Sequence, residues 1–178
     1  MTQPNTASHA ADDRVPYAKP QPWGMAPDMV IHDVQTTDER LWAPVAPGIW
    51  SRPLHLNVSG GFYIHLLKVK RSGLLQRHRH SGQVHAHVLR GKWLYLEHDW
   101  VAEEGSYVFE PPGETHTLVV PDDCQDMVTM FTVHGSLMYV DTQGNATGYD
   151  DVFTRIEKYR AHFEAVGLGA DYVKQFIR

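Results

Sequence analysis

Between residues 62 and 140 the chain is written in short apolar runs, at 62–69, 84–89, 93–97, 107–109, 117–120 and 127–140. Turn residues separate them: Ser72-Gly73, Ser81-Gly82, Gly91, Gly105, Pro111-Pro112-Gly113 and Pro121-Asp122. Strands recurring about every ten residues, with no helical pattern between them, predict an all-β sandwich or barrel. Upstream, from 23 to 53, Pro27, Pro44, Pro47 and Gly48 cut the apolar pattern into pieces that suit short strands and turns, not a helix. After Gly148 the period changes. Val152, Ile156, Tyr159 and Phe163 follow i, i+4, i+7, i+11, with Asp150 or Asp151 available as N-cap and Gly167 as the stop. Tyr172, Val173, Phe176 and Ile177 repeat an apolar face in a second helical turn. The expected organisation is a flexible arm over 1–22, where Pro4, Pro16, Pro20 and Pro22 interrupt small polar residues, a barrel over 23–148, and a helical segment over 149–178 packed on the barrel or on a neighbouring subunit.

Composition narrows the function. The 178 residues, 42% apolar and 21% charged, suit one globular domain. The 16 basic and 21 acidic residues leave a net charge of −5, which argues against nucleic acid as a partner. The single Cys124 excludes an internal disulfide and a multi-cysteine zinc module, and its neighbours Asp122, Asp123 and Asp126 disfavour a thiolate nucleophile. No signal-like N-terminus or long apolar run is present, so the expected location is the cytoplasm, away from a membrane. Basic residues gather around the first histidine motif, among them Arg77, Arg79 and Arg90, as a solvated strand edge or a steering field for an anion. The composition departs from average in its 12 histidines. Imidazole is the commonest metal ligand and titrates near neutrality.

His78-Arg79-His80 follows Gly73, and on a strand residues i and i+2 leave the same face, so both imidazoles can meet one ion. Alone this is weak, because 12 histidines in 178 positions give roughly 0.8 such pairs by chance, and His85-Ala86-His87 is a second one. The later segment from Gly105 through Pro111 and Gly113 to His116 is stronger. Its frame of Gly, five residues, Pro, one residue, Gly, two residues, His arises by chance in about one sequence in 250 of this composition. Gly105 turns the chain into a strand, Pro111 and Gly113 shape a tight turn, and His116 starts the returning strand, where it can face His78 and His80.

The two motifs together resemble those of the cupin superfamily, jelly-roll (double-stranded β-helix) barrels. Gly73, His78, His80 and Gly91 supply the first, with four residues instead of five between Gly73 and His78; the second matches through His116, with Val120 in place of Asn. The resemblance implies a cupin barrel with a short C-terminal helical tail and a metal held by His78, His80 and His116. It also implies a glutamate after a gap of three or four residues from His80, yet Val84 and His85 stand there, and 41–96 contains no acid. Glu97 and Glu110 are the nearest, and either can reach the site from an adjacent strand to move a proton or to orient water or a ligand; Glu97 is preferred modestly. His85 is a spare imidazole near the missing carboxylate's position, His98 and His134 line the pocket or pack, and His9, His32, His55, His65 and His162 are read as structural.

Among cupins, the layout is similar to the bacterial 2,4'-dihydroxyacetophenone dioxygenases. The similarity rests on the proline-rich arm, the run RHRHSGQVHAHVLRGKWLYLEHDW, the segment EEGSYVFEPPGETHTL and the helical tail. This implies non-haem iron, Fe2+, with O2 as co-substrate, a small aromatic hydroxyketone as substrate, and a homo-oligomer, dimer or tetramer. Imidazole ligands alone do not select iron over zinc, copper or nickel. Two other readings stand beside it: an acetylacetone dioxygenase-like oxygenase, and a zinc-binding sensory module like the cupin part of some anti-sigma factors. With histidines as the only ligands and a reference pKa of about 6.5, metal release is expected below about pH 6.

Overall fold

The computed structural model describes residues 14–178; residues 1–13, which carry the start of the expected arm, lie outside the described residues. Residues up to Val30 form one unit, and Ile31–Arg178 a second. The described part of the first is exposed irregular chain, with a turn closed by the Met25 N–H on the Pro22 carbonyl and a fully exposed Trp23.

The second unit is mainly β, with twelve strands: β1 (Ala43–Ala46), β2 (Ile49–Asn57), β3 (Phe62–Val69), β4 (Gly73–His80), β5 (Val84–Arg90), β6 (Lys92–Tyr95), β7 (Ala102–Glu103), β8 (Tyr107–Glu110), β9 (Thr115–Val120), β10 (Met127–His134), β11 (Leu137–Val140) and β12 (Ala146–Asp150). They form two antiparallel six-stranded sheets, ordered β1-β2-β3-β10-β5-β8 and β12-β11-β4-β9-β6-β7. Only closing one sheet over the other buries the inner face of each. Leu56, Tyr63, Val69 and Met127 of the first sheet thus pack in one core with Trp93, Tyr95 and Leu118 of the second.

The apolar run 127–140 becomes two strands in different sheets, because Gly135, at φ +70°, turns the chain between them. Strand β12 had no apolar alternation to announce it: it is an edge strand whose only buried residue is its last, Asp150. Gly91, between β5 and β6, admits no other residue without rearrangement, since it sits at φ +70° and an added Cβ would lie 2.4 Å from the Asp126 carbonyl oxygen.

Helix α1 (Val152–Ala165) starts at Asp151, whose carboxylate accepts the Thr154 N–H while the Thr154 hydroxyl accepts the Asp151 N–H, a reciprocal cap. It buries Val152, Arg155, Tyr159 and Phe163, and three of these join the barrel core. A 3₁₀ segment, Ala170–Phe176, follows, and the chain is then stitched to the barrel: Ile177 bridges Leu56, and Arg178 exchanges backbone hydrogen bonds with Leu56 and Val58. No helix among the described residues is long and apolar enough to cross a membrane.

Phe163 is fully buried and packs against Tyr172 and Phe176 as well as Tyr159. Phe163→Ala is expected to cost about 3–5 kcal/mol of stability. Urea unfolding of the variant, read as a midpoint shift at unchanged slope, checks this.

Candidate metal centre

Strand register brings the site together. In the antiparallel β4–β9 pair His78 and His116 are direct Cα partners, so side chains 38 residues apart in sequence leave adjacent strands on the same face. His80, two residues along β4, shares that face. The turn of the second motif is pinned to it, because the Gly113 N–H donates to the His80 carbonyl at 2.9 Å. Glu110 ends β8 in the opposite sheet, and its Cα partner on β5 is Val84. That is a position, with three residues between it and His80, where the superfamily motif places its glutamate. The carboxylate is supplied across the strand pair from the neighbouring strand.

The donor atoms converge. His116 Nε2 lies 3.1 Å from His78 Nε2, and Glu110 Oε2 lies 3.3 Å from His80 Nε2 and 3.5 Å from His116 Nε2. Each of the four residues offers a ligand atom within 4.8 Å of the others, and each is at most 3% exposed. Metal–nitrogen and metal–oxygen bonds of about 2.0–2.2 Å at tetrahedral to octahedral angles put neighbouring ligand atoms about 3.0–3.5 Å apart. The observed edges fit that polyhedron. Glu110 Oε2 has no hydrogen-bond partner, although a buried carboxylate oxygen left unpaired is costly. A divalent cation placed between the four groups would satisfy it.

Two of the imidazoles are held ready as ligands. Burial, reinforced by the neighbouring His80 and His116, keeps the His78 pKa well below its usual value. Burial also lowers that of His116, to about 4, against the opposing pull of the Glu110 carboxylate. Tyr95 fixes two of the four: its ring stacks on His116 at 3.7 Å between centroids and 7° between planes, and its hydroxyl donates to Glu110 Oε1 at 2.9 Å. Burial first, and then the Glu110 charge, raise the Tyr95 pKa well above its ordinary value, so that donor stays protonated. The sequence motifs carry no sign of Tyr95.

The other candidates lie elsewhere. Both Glu97 oxygens are engaged by Thr117, one by its N–H at 2.7 Å and one by its hydroxyl at 2.8 Å. Partial burial raises the Glu97 pKa, but these two donors outweigh it and hold the carboxyl below its ordinary value. Of the two glutamates, Glu110 stands among the imidazoles, and Glu97, the residue preferred on sequence, anchors the β9 backbone next to His116. His85 bonds the Tyr107 hydroxyl through Nδ1 at 2.7 Å and is not among the four. His98 pairs with Glu114 at 2.9 Å and stacks on Trp100, while His134 packs on Phe62.

His78, His80 and Tyr95 form part of the wall of a cavity of about 380 Å³, within the range of about 300–1,000 Å³ usual for small-molecule sites. Aliphatic and aromatic side chains such as Leu67, Leu118, Phe131 and Val133 line most of the remainder. His65, read from sequence as structural, also faces this cavity; its Nδ1 bonds Ser51 Oγ at 2.8 Å, and that oxygen in turn bonds the Tyr159 hydroxyl at 2.5 Å. Arg155 and Lys158 of α1 close another part of the wall. Neither was singled out in the sequence, where α1 showed only an apolar stripe.

Residues 29–138 match the ChrR cupin-like domain family. Among solved structures, an RmlC-like cupin protein from Ralstonia eutropha JMP134 is 31% identical, with 70% of this chain and 82% of that one covered at a TM-score of 0.67. A second cupin-fold protein from the same organism is 22% identical over 67% and 75% of the chains, with a TM-score of 0.64. An acetylacetone dioxygenase from Acinetobacter johnsonii shares the fold at 16% identity, 83% and 99% coverage and a TM-score of 0.66. No curated protein matches the sequence. With its two-sheet barrel, its paired histidine motifs and a family match across most of its length, the chain belongs to the cupins, in the ChrR cupin-like domain family.

Proposed function

We propose that the chain is a non-haem iron dioxygenase that cleaves the bond between the carbonyl and hydroxymethyl carbons of an aromatic α-hydroxyketone, converting 2,4'-dihydroxyacetophenone and O2 to 4-hydroxybenzoate and formate. The observation that carries this reading is the convergence of three imidazole nitrogens and one carboxylate oxygen beside a largely apolar cavity, into whose wall two of the four residues, His78 and His80, enter. Every atom of the ketone and of O2 is retained in the two carboxylic acids, so the reaction needs no external reductant. The fold likeness to an enzyme named for acetylacetone, another compound with two nearby oxygens, is consistent with it.

His78, His80 and His116 hold the iron. When bound, Fe2+ supplies Lewis acidity towards the two adjacent ketone oxygens and the electron chemistry that O2 requires. Three imidazoles would leave the ion its full charge and the Glu110 carboxylate would offset part of it, so the ion would keep Lewis acidity for a chelating substrate. With Oε1 held by the Tyr95 hydroxyl, Glu110 Oε2 would be the oxygen that faces the cation, and on release from the ion it would accept the proton of the substrate's enolisable carbon. Leu67, Phe131 and Val133 flank the aryl ring and exclude water.

A second reading has one observation in its favour, the match to the ChrR cupin-like domain family: a zinc-holding sensory module that binds a partner and turns nothing over. Oxygen uptake with 2,4'-dihydroxyacetophenone, joined to metal analysis, separates the two. Stoichiometric formate and 4-hydroxybenzoate from iron-containing protein support the dioxygenase, whereas zinc-containing protein inert to O2 supports the sensor. Uptake with acetylacetone in place of the aryl ketone would move the assignment to a diketone oxygenase.

The two glutamates make separate predictions. Glu110→Gln is expected to lower turnover by about 10²–10⁴-fold with the fold intact. Glu97→Gln is expected to cost about 1–3 kcal/mol of stability through the Thr117 contacts and to leave turnover within about tenfold of the original. Steady-state kinetics beside thermal unfolding tests both; the reverse pattern would exchange their roles.

Burial also changes the pH at which metal is released. An imidazole whose folded pKa lies below the reference of about 6.5 stays unprotonated, and able to ligate, as pH falls past that value. With His78 depressed and His116 near 4, occupancy is expected to hold through about pH 6 and to fall as pH approaches 4. The same shifts make the metal-free fold lose stability over that interval, because the unfolded chain takes up protons that the folded one excludes. Metal content measured after desalting at stepped pH checks the first expectation; complete release at pH 6 would contradict it.

A further inference from the structure

The part of the cavity wall supplied by α1 is charged. Asp150, almost fully buried at the end of β12, is fully engaged: Oδ2 accepts the Tyr139 hydroxyl at 2.7 Å and forms an ion pair with Arg155 Nη2 at 3.1 Å, and Oδ1 accepts Lys158 Nζ and the Thr154 hydroxyl. Two cations thus share one anion, leaving a net positive charge at a boundary that is otherwise mainly apolar. Arg155 is 95% buried, lines the cavity and has no hydrogen-bond partner at Nε. Helix spacing explains the pairing, since residues three apart lie on one face and Arg155 and Lys158 therefore project together.

The span from the metal centre to this cluster is set by a side chain of the protein. Tyr139 on β11 is the Cα partner of His78 on β4, both face the cavity, and the Tyr139 hydroxyl ends at Asp150. A para-hydroxyphenyl group thus already bridges the row that carries His78 and the row that carries Arg155. A substrate with the same ring and the same para oxygen, chelating at the histidines and lying along Tyr139, brings that oxygen to the Arg155–Lys158 pair.

We propose that Arg155 and Lys158 are specificity-determining residues that select substrates bearing a hydroxyl or phenolate oxygen on the ring, para to the chelating ketone. The proposal rests on the aryl-hydroxyketone reading above and deepens it. No bond is made or broken at this end of the cavity: the guanidinium and ammonium donate to an oxygen that remains unchanged through the reaction, and their positive charge favours its ionised form.

The test compares 4'-hydroxyacetophenone with acetophenone as non-cleavable binding probes, measured by calorimetry on the purified protein. In parallel, 2,4'-dihydroxyacetophenone and 2-hydroxyacetophenone serve as oxygen-uptake substrates. The original protein is expected to bind the para-hydroxy probe at least about tenfold more tightly, the scale of one charge-assisted hydrogen bond. In Arg155→Lys and Lys158→Met the preference is expected to shrink to about threefold or less, with acetophenone binding nearly unchanged. Lys158 is more than half exposed, so its variant decides the matter alone if Arg155→Lys fails to fold. A preference absent from the original protein, or undiminished in Lys158→Met, overturns the proposal. A preference that follows both residues while neither ketone consumes O2 would instead uphold the proposal and defeat the dioxygenase reading.

Discussion

A carboxylate and three imidazoles share a pocket from which water is almost wholly excluded, and that is tolerable only if something positive sits among them. A buried carboxylate oxygen with no hydrogen-bond partner is costly, and burial keeps two of the imidazoles, His78 and His116, from supplying a compensating charge. A divalent cation held there would balance the site, and the neighbouring side chains fit that arrangement. Tyr95 satisfies the other Glu110 oxygen and clamps His116, Gly113 ties the second motif to the backbone of His80, and Glu97 anchors the strand next to His116 by taking both Thr117 donors.

The barrel makes this possible because antiparallel pairing fixes which residues are neighbours across strands. A slip of one position in β4 against β9 would send His78 and His80 to the outer face, away from His116. The same logic relocates the carboxylate. The superfamily motif draws its glutamate from the strand that follows the paired histidines. Here that position is Val84, and Glu110 reaches the same place as its partner on the adjacent strand. Ligand identity is a property of the sheet, and more than one chain position can supply it.

This explains what the sequence disclosed and what it did not. Period-two apolar runs and glycine-proline turns made the barrel legible, and two spaced motifs singled out His78, His80 and His116, because those signals are local. Glu110 and Glu97 were both visible as acids, but choosing between them required the β5–β8 register and the Thr117 contacts, which no spacing encodes. Tyr95 and Arg155 escaped notice for a related reason. A tyrosine in a strand and an arginine on an apolar helix face both read as ordinary packing until the residues opposite them are known. Strand β12 was missed because an exposed edge strand needs no apolar alternation.

The helix that completes the cavity comes after every strand in the chain, and its contacts are correspondingly distant: Ser51 meets Tyr159 across 108 positions. During synthesis the barrel emerges first and stands open on one side until the final segment docks. Closure of the cavity thus belongs to a late stage of folding. A nascent chain halted short of residue 150 would hold the histidine–glutamate cluster without the part of the cavity wall that Arg155 and Lys158 supply.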